Sequence, residues 1–458
     1  MRKKLNGLLA VLLLGTMLIT GCGPKQTSNP GTQKESESES DATQKPSESE
    51  SETLKPWEKK YEATGRTNLK ESITADLGED TIVGCVINGS TINNEKLMNL
   101  VHEHFNAVTF ENENKPQFSF ADTYAKKSRT TSYELNGQTV EMPILNFNTP
   151  DKLLDVLLAW NQEHPDKFIK VRGHVLVWHA QTPEWFFHED FDESKPYVTK
   201  EVMDVRQEWY IKSVLEHFCG EDSKYKGMYY GWDVVNEACS DGTGKGYRKD
   251  TEGSSWWAVY QSEEFIVNAF KYANKYAPAD VALYYNDYGD CSSGKVSNIS
   301  KLLAAVKDAE GAPGVGTRID GMGMQAHYSI SGPSTLEMMA AGRIYGKYVD
   351  KVMLTEFDWN VNNSYDGTEE SKRFMFTKQG QQYKDWYDQL NDLEAKGVVD
   401  VAGITVWCVT DQYSWLQSAN SAGGGADGKS EQFPALFDSN YQPKPSFWAL
   451  VDPSRMSE

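Results

Sequence analysis

Beyond about residue 60 the alternation of apolar and polar positions switches repeatedly between two periods. Short β-branched runs of the kind that fill buried strands alternate with longer stretches whose apolar residues recur every three or four positions, the spacing of one helix face. Ile82–Ile87 predicts a first strand, Asn93–His104 a helix and Asn106–Phe110 a second strand. Thr149-Pro150 reads as the cap and opening of a helix with Leu153, Leu154, Leu157 and Leu158 on one face. Phe168–Val177 predicts the third strand, Thr199–Phe218 a long helix, and the run from Tyr230 to Ala238 the fourth strand. Ser262–Tyr276 follows as a helix, Val281–Tyr285 as a strand, and Ile299, Leu302, Leu303 and Val306 mark the next amphipathic helix. Ile319–Gln325, Val352–Thr355 and Gly403–Val409 complete eight strands, with helices near Thr335–Tyr345 and Phe374–Lys396 between them. A regular βα alternation of this length predicts an α/β fold, a TIM (β/α)8 barrel, over 61–458.

Two of these strands end unusually. Trp232-Asp233-Val234-Val235 runs straight into Asn236-Glu237, and Lys351-Val352-Met353-Leu354 runs into Thr355-Glu356-Phe357-Asp358. A buried strand that stops on an amide and a carboxylate delivers polar groups to a site, and two strand-end glutamates suggest a carboxylate pair. Glycosidic-bond cleavage needs such a pair, one group to protonate the leaving oxygen and one to attack or stabilise an oxocarbenium-like centre. Polar and aromatic residues gather at the other strand ends as well. Glu111, Asn112 and Lys115 follow strand two; His174, Trp178, His179 and Gln181 belong to strand three; Asn286 and Asp287 end strand five. Gln325 and His327 follow strand six, and Trp407, Asp411 and Trp415 strand eight. In a barrel, the carboxyl ends of the strands are where catalytic sites are assembled.

Composition adjusts this picture at the chain's start. Arg2, Lys3 and Lys4 precede an apolar segment from Leu8 to Ile19 and then Thr20-Gly21-Cys22, a secretory signal over 1–21 that is too short for a spanning helix. Residues 22–60 are Ser, Glu, Lys, Thr and Pro with almost no apolar residue, which predicts a flexible, disordered tether. The formal net charge of −20 argues against a nucleic-acid partner, because phosphate binding needs clustered Lys and Arg. The 13 Trp exceed what packing usually demands and suit sugar stacking, although many of them must be core. Apart from Cys22, the cysteines are Cys85, Cys219, Cys239, Cys291 and Cys408, an odd set without metal-ligand spacing or a disulfide framework, in which one bridge stays open. His102-Glu103-His104 reads as solvated helix surface rather than a metal site, and neither metal nor cofactor is expected.

The motifs Val171-Arg172-Gly173-His174-Val175-Leu176-Val177-Trp178-His179, Trp232 to Ala238, Tyr285-Asn286-Asp287-Tyr288, Asp320 to His327, Thr355 to Asp358, and Leu436-Phe437-Asp438 through Pro443-Lys444-Pro445 together resemble family-10 glycoside hydrolases. That family comprises endo-β-1,4-xylanases, and the resemblance covers about Ile82 to Pro453. It implies that Glu237 is the general acid/base and Glu356 the nucleophile of a retaining double displacement. It implies that His327 and Asp358 orient the nucleophile and that Asn236 binds the sugar 2-hydroxyl. Glu111, Asn112, Lys115, His174, Gln181 and Gln325 match the polar lining of the glycone subsites, and Trp178, Trp407 and Trp415 the aromatic walls. Asn286, Asp287 and Asp233 read either as support for the acid/base or as structural hydrogen bonding. Ile19-Thr20-Gly21-Cys22 resembles the bacterial lipobox, which implies a lipoprotein with Cys22 as lipidated N-terminus, anchored at the cell envelope and facing the exterior. The partners implied are xylan, xylo-oligosaccharides and a lipid membrane, for a monomeric chain.

The chain departs from the family's pattern in two places. Asn114-Lys115-Pro116 lacks an aromatic that the family usually carries, and residues from Phe118 to about Asn148 form an insertion, with Tyr124, Arg129, Tyr133 and an Asn136-Gly137 turn. The insertion predicts a small hairpin beside the glycone end. Two other readings stand beside xylan hydrolysis: a β-1,4-glucanase of the same barrel clan, and a surface glycan-binding lipoprotein without catalysis.

Overall fold

The computed structural model describes residues 60–122, 128–361, 365–417 and 432–457. The signal segment, Cys22, nearly all of the tether and Tyr124 lie outside them. Among the described residues eleven strands run in chain order: β1 (Ile82–Ile87), β2 (Ala107–Phe110), β3 (Thr130–Leu135), β4 (Gln138–Pro143), β5 (Lys170–Trp178), β6 (Tyr229–Asn236), β7 (Ala282–Asp287), β8 (Gly321–Met324), β9 (His327–Ser329), β10 (Lys351–Asn360) and β11 (Asp400–Val406). The helices are α1 (Leu69–Leu77), α2 (Glu95–His104), α3 (Pro116–Ser119), α4 (Asn148–Glu163), α5 (Lys200–Cys219), α6 (Ser255–Tyr260), α7 (Glu264–Tyr276), α8 (Ser293–Asp308), α9 (Thr335–Tyr345), α10 (Glu369–Ala395) and α11 (Pro445–Val451).

Eight of the strands pair in parallel in the order β11-β1-β2-β5-β6-β7-β8-β10, and β10 pairs again with β11, which closes the barrel. Every strand read from the sequence is present, with ends displaced by a few residues. β10 runs on to Asn360 and carries Glu356 within it rather than beyond it, because β9 pairs with its second half, His327 opposite Asp358. The fourth helix opens at Asn148, whose amide is taken by the Asn146 side chain, so Thr149 lies inside the first turn instead of capping it. α1 was not legible as an element; Leu69, Ile73 and Leu77, four residues apart, are buried.

Side chains that leave the strands outward, such as Val83, Cys85, Val108, Val171 and Leu283, join the helices in the main core. The barrel interior is a smaller cluster of Ile82, Ala107, Tyr284 and Met353. Beside it the buried Arg172 lies with its guanidinium 4.4 Å from the Tyr284 ring centre and pairs with Asp233 through Nε (3.0 Å) and Nη2. Burial pushes the Asp233 carboxyl up, but the Arg172 charge and the His174 hydrogen bond outweigh it and hold it below its usual value.

One sequence expectation is corrected here. His104 is buried against Phe437 and Phe447 and the half-buried His102 stacks on Trp160, so both histidines are packed and only Glu103 between them is exposed; burial lowers the His102 imidazole to about 4. The insertion does form a hairpin, β3–β4, turning through Asn136 (φ 52°) and Gly137 (φ 78°), two positive φ values that suit an Asn-Gly turn. Asn136 Nδ2 donates to Glu208 of α5 (3.0 Å), and Lys275 in the last turn of α7 donates to Asn136 Oδ1 (2.8 Å), which places the tip on the outer helices. The five described cysteines are all free.

Candidate active site

The carboxyl ends of β5, β6, β7, β8 and β10 bring the strand-end residues into one hydrogen-bonded array. β6 stops at Asn236, and Glu237 follows with φ 54°, a left-handed backbone that a side chain other than glycine adopts at a cost. Its amide is tied to the Asn286 carbonyl (2.9 Å), and its carbonyl accepts Arg248 Nε (2.9 Å). Tyr285 Oη accepts the next two amides, Ala238 (3.1 Å) and Cys239 (3.2 Å). The strained turn thus carries Glu237 past the end of the strand, where Oε2 accepts Trp178 Nε1 (2.9 Å) and Oε1 accepts Gln325 Nε2 (2.8 Å).

Glu356 reaches the same place from β10. Against β11 the register shifts between Leu354 and Phe357, a bulge that re-aims the intervening side chains. Glu356 is 5% exposed, and its carboxylate accepts Asn286 Nδ2 at Oε1 (2.8 Å). His327 Nε2 meets Oε2 at 3.2 Å, and on the far side of the ring Nδ1 lies 3.0 Å from Asp358 Oδ2, an ion-pair contact rather than an aligned hydrogen bond. Asp358 Oδ2 also accepts Trp415 Nε1 (2.9 Å), and the Trp415 ring packs on the imidazole. A row from Trp415 through Asp358 and His327 therefore ends on Glu356.

Charge follows from this arrangement. Burial alone would raise the Glu356 carboxyl, but the His327 hydrogen bond, the His174 and His327 charges and the Asn286 hydrogen bond together hold it below its usual value. Burial would lower the His327 imidazole, and Asp358 and Glu356 outweigh that and hold it well above its usual value. The pair is therefore a carboxylate beside an imidazolium. Near Glu237 the opposite holds for His179: burial, reinforced by Arg248 and Lys295, lowers its imidazole to about 3, and its Nδ1 lies 3.9 Å from Glu237 Oε2.

The two glutamates are linked through amides. Asn236 Oδ1 accepts both Asn286 Nδ2 (2.9 Å) and Gln325 Nε2 (3.2 Å), and these same two donors hold Glu356 and Glu237 respectively. With its oxygen saturated, Asn236 offers Nδ2 as its side-chain donor. Around the pair, His174 is fixed by Nδ1 on Asp233 Oδ2 (2.9 Å), and Trp407 is nearly buried edge-on to both His174 and His327. Lys115 Nζ donates to Asn112 Oδ1 (3.1 Å) and stands 5.0 Å from the Trp178 ring centre, and Gln181 Nε2 donates to the same Asn112 oxygen (3.3 Å). Burial lowers the Lys115 ammonium despite the pull of Glu356, Glu111 and Glu237. Glu111 Oε2 is held by Asn88 Nδ2 (2.7 Å).

Not every strand-end residue joins the array, and for Asp287 and Asp233 the structural reading is the one that holds. Asp411 is fully buried, ion-paired to Lys444 Nζ (3.1 Å to each oxygen), and binds the Ala435 amide (2.9 Å), so it closes the chain's end rather than the cleft. Asp287 pairs with Lys295 (3.0 Å), and Asp233 serves Arg172 and His174. Asn286 has a larger part than its reading as support for the acid/base: it touches Glu356 itself. Arg248 and Asn88 carry no sequence signal, since each acts through a partner that only the fold supplies.

The arrangement presents a carboxylate held ionised opposite a second carboxyl group, with amide donors between and indole rings around, which equips it to cleave an acetal between sugars. Comparison with known proteins agrees. The chain is 30% identical over 370 residues to endo-1,4-β-xylanase B of Butyrivibrio fibrisolvens, covering 81% of this chain and 51% of that protein. It is 32% identical over 393 residues to endo-1,4-β-xylanase Y of Acetivibrio thermocellus, covering 82% of this chain and 32% of that one. The chain thus spans about half or less of the length of these curated relatives. The solved structure of the N-terminal modules of endo-1,4-β-D-xylanase 10B from Clostridium thermocellum, complexed with xylohexaose, superposes with a TM-score of 0.66 at 29% identity, over 85% of this chain and 69% of that one. Residues 69–453 match glycosyl hydrolase family 10, and the chain belongs to that family.

Proposed function

We propose that the chain is a retaining endo-β-1,4-xylanase that cleaves internal bonds of xylan. The observation that carries this reading is the linked pair: Glu237 between Trp178 and Gln325, and Glu356 between Asn286 and His327. In the first step Glu356 Oε attacks the anomeric carbon while the C1–O bond breaks and the Glu237 proton passes to the departing oxygen, leaving a glycosyl ester on Glu356. In the second step Glu237, now a carboxylate, takes a proton from water as its oxygen attacks the same carbon and the ester bond breaks, which restores both groups.

His327, braced by Asp358, steadies the ionised nucleophile and keeps it from binding a proton. Asn236 Nδ2 serves the sugar 2-hydroxyl, a contact that strengthens as the ring becomes oxocarbenium-like. Glu111, Asn112, Lys115, His174, Gln181 and Gln325 line the glycone side, and Trp178, Trp407 and Trp415 form its aromatic walls. Gln325 also orients Glu237, and Trp415 braces Asp358. The Thr20-Gly21-Cys22 signal supports export and lipidation at Cys22, with the domain held on the outer side of the envelope.

Proton NMR of xylohexaose cleavage tests the reading. The β-anomer appearing first in wild type, with no cleavage by Glu356→Gln, is the expected result. The α-anomer appearing first would overturn the two-step mechanism, and cleavage of carboxymethylcellulose but not xylan would overturn the substrate.

A further inference from the structure

Between β8 and β9 the chain passes through Ala326, a fully buried alanine with φ 60°. Its neighbours face opposite halves of the site: Gln325 donates to Glu237 Oε1 (2.8 Å), and His327 meets Glu356 Oε2 (3.2 Å). An alanine has no side chain with which to hold this left-handed turn, whose strain is on the order of 1 kcal/mol or more. The hold comes from outside. Asp290, fully buried three residues beyond the end of β7, accepts the Ala326 N–H at Oδ2 (2.9 Å). Its other oxygen accepts the Tyr328 hydroxyl (2.7 Å) and the Cys291 thiol (3.1 Å), and its carbonyl accepts Tyr345 Oη of α9 (2.6 Å). Burying a carboxylate is costly, and the three donors from Ala326, Tyr328 and Cys291 satisfy it here.

We propose that Asp290 is a positioning residue that, through its hydrogen bond to the Ala326 amide, holds Gln325 against Glu237 and His327 against Glu356 together. One backbone turn then fixes both members of the pair, and a rotation at Ala326 withdraws both supports at once. Asp290 touches no reacting atom, so its loss weakens turnover more than substrate binding. The inference rests on the catalytic reading above for its consequence in turnover, but not for its consequence at His327.

The test uses the full chain with Asp290→Ala, Asp290→Asn and Tyr328→Phe, each checked for folding by a thermal melt. Two quantities are read: kcat and KM on xylohexaose, and the 15N titration midpoint of the His327 imidazole without substrate. In Asp290→Ala, kcat falls about 100-fold with KM little changed, the scale of loss that follows a catalytic group displaced by about 1 Å. The His327 midpoint also falls as the ring leaves Asp358 and Glu356. Asp290→Asn keeps an oxygen for the Ala326 amide and turns its amino group to the Tyr328 oxygen, so it recovers most of the rate. Tyr328→Phe leaves the Ala326 bond intact and stays near wild type in both quantities. A wild-type midpoint and kcat in Asp290→Ala would overturn the proposal, as would an equal loss in Tyr328→Phe. If Asp290→Ala does not fold, Asp290→Asn decides: a wild-type midpoint supports the proposal and a fallen one overturns it, because the acceptor for Ala326 is still present. Turnover retained by Glu356→Gln would instead overturn the catalytic reading, and the imidazole titration would still decide the place of Asp290.

Discussion

At the scale of single residues, Glu356 and His327 set each other's charge. As the proposed nucleophile, Glu356 acts only when ionised, so the rate falls as pH drops through its carboxyl pKa. Burial would put that pKa above the usual range, and the His327 hydrogen bond is the first of the effects that hold it below. Removing the imidazole leaves burial less opposed, so the carboxyl pKa rises. We expect His327→Ala to move the acidic limb of kcat/KM to higher pH, because the hydrogen bond and close charge that favour the ionised carboxyl are gone. Turnover at the optimum should fall as well, because Asp358 and Glu356 then face each other's charge without a cation between them. An unmoved acidic limb, read from initial rates on xylohexaose between pH 4 and 7, would show that other neighbours hold Glu356.

At the scale of elements, the inserted hairpin β3–β4 packs on the outer helices. Glu208 on α5 gathers Asn136 Nδ2, Lys275 Nζ (2.7 Å) and Tyr276 Oη (2.9 Å), so the hairpin tip ties α5 to α7. Leu135 is buried and Tyr133 packs edge-on to Trp209 of α5, with ring centres 5.3 Å apart. Replacing residues 132–141 with Gly-Gly removes both contacts and should cost about 2 kcal/mol in a urea melt, the worth of one large apolar side chain. Xylohexaose products should stay the same, since no hairpin residue touches the array of Glu237 and Glu356; altered products would show that the insertion bears on glycone binding. The hairpin's existence was legible because Asn-Gly imposes its own turn, whereas its place was not, because Glu208 and Lys275 lie 67 residues apart in the chain. The same division runs through the barrel and its site. The strands declared themselves as β-branched runs, and Glu237 and Glu356 as acids that interrupt them. Asn286 on Glu356, Asp411 on Lys444 and Asp290 on Ala326 were hidden, since an amide or acid at a strand end looks alike whether it faces the cleft, the core or a neighbouring turn.

At the scale of the whole molecule, the catalytic apparatus and the proposed anchor occupy separate stretches of sequence. Every group in the array comes from residues between Asn88 and Trp415, whereas the signal, Cys22 and the Ser/Glu-rich segment end by about residue 60. The acidic residues of that segment and the chain's net charge of −20 add repulsion from anionic lipids, so the proposed attachment would rest on acyl chains rather than surface charge. Cys22→Ala should therefore move the protein from the membrane fraction to the soluble fraction of a detergent phase separation. It should leave kcat/KM on soluble xylohexaose within about twofold of wild type, because no side chain of the site is altered. Wild type found wholly in the soluble fraction, or Cys22→Ala remaining with the membrane, would remove the lipid anchor from this reading and leave the barrel's chemistry as it stands.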